Sequence, residues 1–333
     1  MGVAPSNMSN TNTLLPRRRC EGDVAKNNTG SISTLNHRLP RDSWGHKMKE
    51  KEDKIIRVSF VNVNGIGAFA KHMKSEGVRS YIVDKKVDVM GIAETNVNWG
   101  KVNNKDTLWD RTKAWAPDRR IGVSYNTQQR ITGRHQQGGT ATVVTNDIAH
   151  RFKSSGFDQS GLGRWSWVLV SGKQNCITRF VTVYAPQKGG SGMNTVYEQH
   201  LAHLKVNPIR AFWKDLANDI ATWQKNGEQL ILSGDWNEDV AGPNLKTWMG
   251  TFGLKEAITT MHNFNPPPTF QRGSHAIDGI FVSPNIDVYR SGYLGFGEIP
   301  GDHRAIWMDV RQKSILGYKM ADIPVAQALH GCT

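Results

Sequence analysis

The chain has 333 residues, 38% of them hydrophobic, enough for one large domain or two small ones around a sizeable core. No apolar run approaches membrane-spanning length, Met1-Gly2-Val3-Ala4-Pro5-Ser6 lacks the apolar core of a secretory signal, and Cys20, Cys176 and Cys332 are too scattered for a disulfide framework or a zinc site. A formal charge of +13 at pH 7 favours a polyanionic partner, nucleic acid before an acidic membrane, in a nuclear or cytoplasmic and not a secreted protein.

Residues 1–53 are rich in Asn, Ser, Thr and Arg, show no apolar period, and read as a disordered segment. They hold nine Lys/Arg against six Asp/Glu, so most of the positive excess belongs to the folded part. The first strand, 55–63, ends on Asn64-Gly65. A helix through Tyr81 precedes a second strand, 87–93, that ends on Glu94-Thr95. Between Asn96 and Asp118 the chain is polar, with Trp99, Trp109 and Trp115 among cations; such rings anchor loops or serve a nucleic-acid surface. Further strands fall at 121–125, 139–145, 165–171 and 176–184, the last running into Tyr184-Ala185-Pro186.

Ile209, Phe212, Leu216, Ile220 and Trp223 then recur at helical spacing, with Asn207 as N-cap, Pro208 at the first helical position and Asn226-Gly227 as the stop. The apolar run 229–233 reads as a buried strand that delivers Asp235 and Asn237 at its C-terminal end, where sites on sheets are usually built. An Asp-x-Asn pair presents both side chains to one face of an extended chain. The carboxylate can take a proton or hold a metal while the amide donates to an oxygen gaining charge, although the same triplet also makes turns. Strands at 277–282 and 305–309 flank Gly301-Asp302-His303-Arg304, and residues from about 312 read as a tail or linker.

Asp278 stands alone in an apolar strand, where an unpaired carboxylate is costly. His303 is a fitting partner, because a carboxylate accepting from one imidazole nitrogen fixes the tautomer and raises the basicity of the ring. The alternative is an unrelated core histidine and a surface aspartate. Glu94 and Asp302 offer hard oxygen ligands to Mg²⁺, and Asn62 can orient either a ligand or a phosphate. Gly65-Ile66-Gly67-Ala68-Phe69-Ala70 fits a dinucleotide-binding fingerprint, with Asp84 and Asp88 at about ribose distance, but that architecture leaves the later polar strand ends without a role. Strands without regular βα alternation argue for two packed sheets flanked by helices and against a barrel.

Asn62-Val63-Asn64-Gly65, Ala93-Glu94-Thr95, Val183-Tyr184-Ala185-Pro186, Gly234-Asp235-Trp236-Asn237, Thr269-Phe270, Ile277-Asp278 and Gly301-Asp302-His303 together resemble the endonuclease/exonuclease/phosphatase superfamily, in its order, over a domain at 54–311. The resemblance implies a four-layer α/β sandwich of two mixed sheets, as in deoxyribonuclease I, and phosphodiester hydrolysis dependent on Mg²⁺, or Mn²⁺ in its place. It also implies roles: Glu94, Asn62 and Asp302 at the metal, Asp235 near the attacking water, Asn237 and Tyr184 on the scissile phosphate, and His303 held by Asp278. Within the superfamily, Gln136-Gln137-Gly138-Gly139-Thr140-Ala141 and the short run from Thr269 to Ser283 look most like the endonuclease domains of LINE-type retrotransposons. The expected act is then nicking of DNA to leave a 3′-hydroxyl, with a reverse transcriptase encoded downstream as partner and no small-molecule cofactor or membrane involved. Arg119, Arg120, Arg134, Lys188 and Thr269 are the expected DNA contacts. AP endonucleases typically carry Trp three residues before the Asp where this chain has His275, which weakens an abasic-site pocket, and Gly301 stands where many relatives have Ser. Two rivals remain: a phosphatase of the same fold acting on a small phosphoester, and a nucleic-acid-binding module without catalysis. Retention of every carboxylate and of the histidine counts against the second.

Overall fold

The computed structural model describes residues 43–129, 133–189, 195–262 and 265–317. In chain order the elements are β1 (Trp44–Gly45), β2 (Ile55–Asn62), α1 (Met73–Asp84), β3 (Val89–Ala93), α2 (Leu108–Trp115), β4 (Arg120–Ser124), β5 (Thr140–Val144) and α3 (Asn146–Ala149). There follow β6 (Phe152–Phe157), β7 (Trp165–Ser171), β8 (Ile177–Tyr184), α4 (Val196–Leu204), α5 (Pro208–Lys225), β9 (Gln229–Asp235) and α6 (Pro243–Gly250). The last are β10 (Lys255–Glu256), β11 (Asp278–Val282), β12 (Val288–Tyr293), β13 (Ile306–Arg311) and α7 (Gln312–Leu316). Regular structure therefore extends past both expected limits of the domain: β1 precedes residue 54, and α7 occupies the start of the expected tail. Residues 1–42, including Arg17-Arg18-Arg19, lie outside the described residues, as do those from 318 onward.

One sheet has seven strands in the order β1-β12-β13-β2-β3-β5-β4, and the other has six in the order β10-β11-β9-β8-β7-β6. Each contains one parallel pair, β2–β3 or β8–β9, because a helical crossover joins those strands, α1 in the first case and α4 with α5 in the second. The other pairings are antiparallel. Val78, Tyr81 and Ile82 of α1 pack with Val61, Val63 and Trp307 in a cluster with the seven-stranded sheet. Phe212, Leu216, Ile220 and Trp223 of α5 join Leu230 and Leu232 of β9 in the larger core. These are the two mixed sheets flanked by helices that the sequence pattern implies.

Helix α5 forms where its periodicity requires. Asn207 accepts from the amides of Ile209 and Arg210, Pro208 opens the helix, and Gly227 takes a φ of +76° just beyond its end. Capping contributes about 1 kcal/mol, whereas burying each large apolar side chain contributes roughly 1.5–3 kcal/mol, so packing dominates and the cap sets the boundary. Strand β2 is buried on both faces. Its polar positions are satisfied internally: Arg57 Nε and Nη2 donate at 2.8 and 2.9 Å to Asp309, its cross-strand neighbour on β13, and Ser59 Oγ lies 2.9 Å from Tyr81 Oη.

The sheets approach closely along a hydroxyl seam. Thr142 Oγ1 lies 2.7 Å from Thr182 Oγ1 and 3.1 Å from Ser166 Oγ, and Thr140 Oγ1 donates to the same serine. Close approach requires glycine at Gly122, where an added Cβ would lie 2.4 Å from the backbone oxygen of Trp167. Gly122→Ala is therefore expected to lower the unfolding free energy by about 1–3 kcal/mol through overpacking, read as a fall in the urea midpoint at constant slope.

Candidate active site

The C-terminal ends of the two parallel pairs meet. Asn62 ends β2 opposite Ala93 of β3, whose next residue is Glu94, while Tyr184 of β8 stands opposite Asp235 of β9. Antiparallel β11 brings Asp278 opposite Asp235 on the other side of β9. His303, just before β13, is tied by an isolated bridge to Phe270, with the two rings 4.9 Å apart.

Asn62 joins the two sheets. Its Nδ2 donates at 2.8 Å to Glu94 Oε1 and at 2.8 Å to Asp235 Oδ2, and its Oδ1 accepts from the Asn64 amide. With both amide hydrogens on carboxylates, Asn62 braces the ligands, and only its already engaged Oδ1 could face a metal. Asp235 Oδ1 accepts from the Asn237 amide, and Asn237 Nδ2 donates at 2.7 Å to Ala185 O, leaving one amide hydrogen. His303 Nδ1 donates to Asp278 Oδ2 across 2.8 Å, while Nε2 stands 4.0 Å from Asp235 Oδ2. That gap is too long for a direct bond, but an oxygen between the two would lie within about 2.8 Å of both. Tyr184 is hydrogen-bonded to Glu94, and Asn64 Nδ2 donates to Asp302 Oδ2 at 3.2 Å.

These groups open onto a cleft of about 670 Å³ whose lining includes Glu94, Asp235, Glu238, Asp239 and Asp302 against one arginine, Arg272. An acidic cleft in a chain of charge +13 repels a phosphodiester unless a cation intervenes. The Asp302 Oδ1 atom is buried without a hydrogen-bond partner among the described residues, as is Asp278 Oδ1. Glu94 and Asp302, hard oxygen donors on one polar cleft, fit a divalent ion such as Mg²⁺. Asp235, Asp278 and His303 also lie within metal-binding reach of one another. Their atoms are committed differently, however, since the histidine already faces a carboxylate through each nitrogen.

Burial raises the pKa of Asp235, with Asp278 and Glu94 adding to the rise, to about 7, against the opposing pull of His303. For His303 burial opposes the charge, yet Asp278, Asp235 and Glu94 together carry its pKa up to about 10. Burial, and then the charges of Glu94 and Asp235, hold Tyr184 well above the usual phenol range, so it remains a donor.

Four residues around this cluster have positive φ without being glycine: Asn64 (+43°), Glu94 (+48°), Asn96 (+52°) and Asn237 (+50°). The Gly138-Gly139 loop supports the second and third of them. Thr95 N donates to Gly139 O, Asn96 N to Gly138 O, and Gly138 N to Asn96 Oδ1. The glycine pair thus holds the turn that presents Glu94. The Gly65–Gly67 turn has the same kind of task, with the Gly65 and Ile66 amides donating to Glu94 O and Thr95 O and not cradling a phosphate.

The structure thus gathers Asn62, Glu94, Tyr184, Asp235, Asn237, Asp278, Asp302 and His303 in one place. The expected DNA contacts divide. Arg134 and Lys188 are exposed, Arg134 over the Phe69 ring and Lys188 next to Gln187 of the cleft wall. Arg119 is buried, donating to Pro117 O and Trp109 O and stacked on Trp109. Arg120 donates to Asp118 O and Arg119 O, and its register with Val144 puts it at the far end of the strands that end at the site. Thr269 is fully buried, its hydroxyl accepting from the amides of Ile277 and Asp278. Arg119 and Thr269 therefore serve packing, Thr269 bracing the strand that carries Asp278, while the half-buried Arg120 lies away from the cleft: a net charge identifies cations without placing them. Asn64 and Arg272 escaped the sequence reading as site residues. Asn64 stood beside Asn62 in an Asn-Val-Asn-Gly turn, whereas nothing in the local pattern marked Arg272.

Residues 60–303 match the family described as "Endonuclease/Exonuclease/phosphatase family". The chain belongs to that family. Members of the endonuclease/exonuclease/phosphatase family are hydrolytic nucleases and phosphatases. Solved structures similar to this one include an AP endonuclease from Leishmania major, at 15% identity and TM-score 0.57 over 78% of this chain and 88% of that one. The catalytic domain of human Nocturnin with a bound sulfate is 16% identical, with TM-score 0.53 over 79% and 95% of the two chains. A Neisseria 3′ phosphatase, NExo, bound to product DNA hairpin is 16% identical, with TM-score 0.51 over 76% and 98%. No curated protein sequence matches the chain.

In the metal-free protein the His303 imidazolium is expected to persist until about pH 10, and NMR titration of its ring nitrogens reads this directly. The raised value adds stability that is full below the unfolded pKa of about 6.5 and disappears as pH rises through the folded value. Asp278→Asn should return the titration toward the ordinary range.

Proposed function

We propose that the chain is a divalent-metal-dependent endonuclease that cleaves DNA phosphodiester bonds and leaves a 3′-hydroxyl. The convergence of Asp235, Asn237 and the Asp278–His303 pair on one acidic cleft carries this reading. Held by Glu94 and Asp302, with Asn62 bracing Glu94, a Mg²⁺ or Mn²⁺ ion would neutralise the scissile phosphate and favour attack on phosphorus. Asp235, with a pKa near neutrality, accepts a proton from the attacking water. The free Asn237 amide hydrogen, the Tyr184 hydroxyl and His303 Nε2–H donate to oxygens that gain charge as the bond to water forms. Asp278 keeps the imidazole in position and favours its charged form.

We infer further that the biological setting is target nicking for a LINE-type retrotransposon. Support comes from the Gln136-Gln137-Gly138-Gly139 segment and from the short run between Thr269 and Asp278. His275, where AP endonucleases carry Trp, is exposed and lies 3.7 Å from Asp239 on the cleft wall, a polar pair in place of an apolar abasic-site wall. A reverse transcriptase encoded downstream of Thr333 would support this setting, and an unrelated downstream sequence would count against it.

Purified protein should relax a supercoiled plasmid to the nicked form with Mg²⁺ and stop on addition of EDTA. Asp235→Ala and His303→Ala should each lower the rate about 10²- to 10⁴-fold, the range of a lost general acid or base. Undiminished nicking by either variant would overturn the assignment. Release of phosphate from small phosphoesters without nicking would instead favour a phosphatase.

A further inference from the structure

Beside the cleft lies a smaller cavity of about 270 Å³ lined by Trp213, Glu238, Asn244, Leu245 and Trp248. Its walls come from α5 and α6, and its rim from the loop that follows β9. Glu238 lines both cavities, so the two are neighbours across that side chain.

Core packing accounts for some of the aromatic residues here. Trp236 is fully buried, stacks on Trp213 with centroids 6.2 Å apart, and donates from Nε1 to Gly279 O. Trp213 and Trp248 are different. They meet edge to face at 4.6 Å, stay only partly buried, and turn ring surface toward the cavity. Glu238 and Asn244 are exposed, and neither side chain makes a hydrogen bond among the described residues. Indole surface beside an unengaged carboxylate and carboxamide is a combination suited to a flat heterocycle with a polar edge.

We propose that this cavity seats one base of the nucleic-acid strand whose phosphate occupies the cleft, an inference that rests on the nuclease reading. Indole rings offer stacking to any base, while Glu238 accepts hydrogen bonds from the base edge and Asn244 both donates and accepts. A carboxylate is best matched by two parallel N–H donors. Guanine alone presents a ring N–H beside an exocyclic amino group, so guanine is the base expected. A purely aliphatic occupant would leave Glu238 and Asn244 unused.

The test uses the full chain and two substrates: a guanine-containing oligonucleotide, and bis(4-nitrophenyl) phosphate, which has no base. Trp248→Ala should raise KM for the oligonucleotide about 5- to 150-fold, the range of one lost base stack. Hydrolysis of bis(4-nitrophenyl) phosphate should be unchanged, and Trp248→Phe should restore most of the loss. Anisotropy of a fluorescein-labelled strand, read with Mg²⁺ on an Asp235→Asn background that blocks turnover, should show the same weakening. Replacing guanine by hypoxanthine should weaken binding to the wild type but not to Glu238→Gln. Equal losses on both substrates would reduce Trp248 to a structural residue, and unchanged oligonucleotide binding would overturn the proposal. If the wild type cleaves neither substrate the nuclease reading fails, while the binding comparison with Mg²⁺ still decides the cavity.

Discussion

A single carboxamide joins the two halves of this protein at the place where chemistry is expected. Asn62 belongs to one sheet and Asp235 to the other, and the 2.8 Å bond between them is matched by a second, also 2.8 Å, to Glu94. Without that donor, two carboxylates at the buried ends of packed strands would repel each other and lose hydration together. Hydrogen bonds to charged groups contribute roughly 1.5–3 kcal/mol, and leaving such a group unpaired costs more, so the amide both permits and positions the pair. Each sheet carries one parallel pair, and the C-terminal ends of both pairs point to this junction. Antiparallel strands β11 and β13 then deliver Asp278 and His303 from a distant part of the chain.

Charge is distributed against the average. The chain carries +13, yet five carboxylates and one arginine line the cleft. A basic surface draws a polyanion in from a distance, with screening setting in over about 8–10 Å, and the acidic floor then resists the phosphate at contact. The proposed divalent cation reconciles the two, since it turns repulsive oxygens into ligands. A protein that only held DNA electrostatically would gain nothing from such a floor.

The turns that present the site carry backbone conformations that most side chains avoid. Glu94 in the left-handed region costs about 1 kcal/mol or more and persists because neighbouring hydrogen bonds over-determine it. Those bonds come from Gly138 and Gly139 on one side and from Gly65 and Ile66 on the other. A glycine motif that fits a dinucleotide fingerprint and the Gly138-Gly139 pair therefore act together as the mould for one glutamate.

Local sequence was sufficient for α5, with its period, cap and stop, and for the strands that end on Glu94, Tyr184 and Asp235, because those signals act over a few residues. It was insufficient for β6, an edge strand of largely exposed residues, and for β12, whose register shifts at a bulge and whose first half is only partly buried. It also could not show that Arg119 and Thr269 are buried or that Arg120 lies at the far strand end, since residue type says nothing of which end of a sheet a side chain occupies. The sequence by itself determined which residues could do chemistry, and that they sit at or beside the ends of strands. Only the tertiary structure decided that Asn62 reaches Asp235, 173 positions away, because that contact depends on sheet register and on the distance between sheets, which no local pattern encodes.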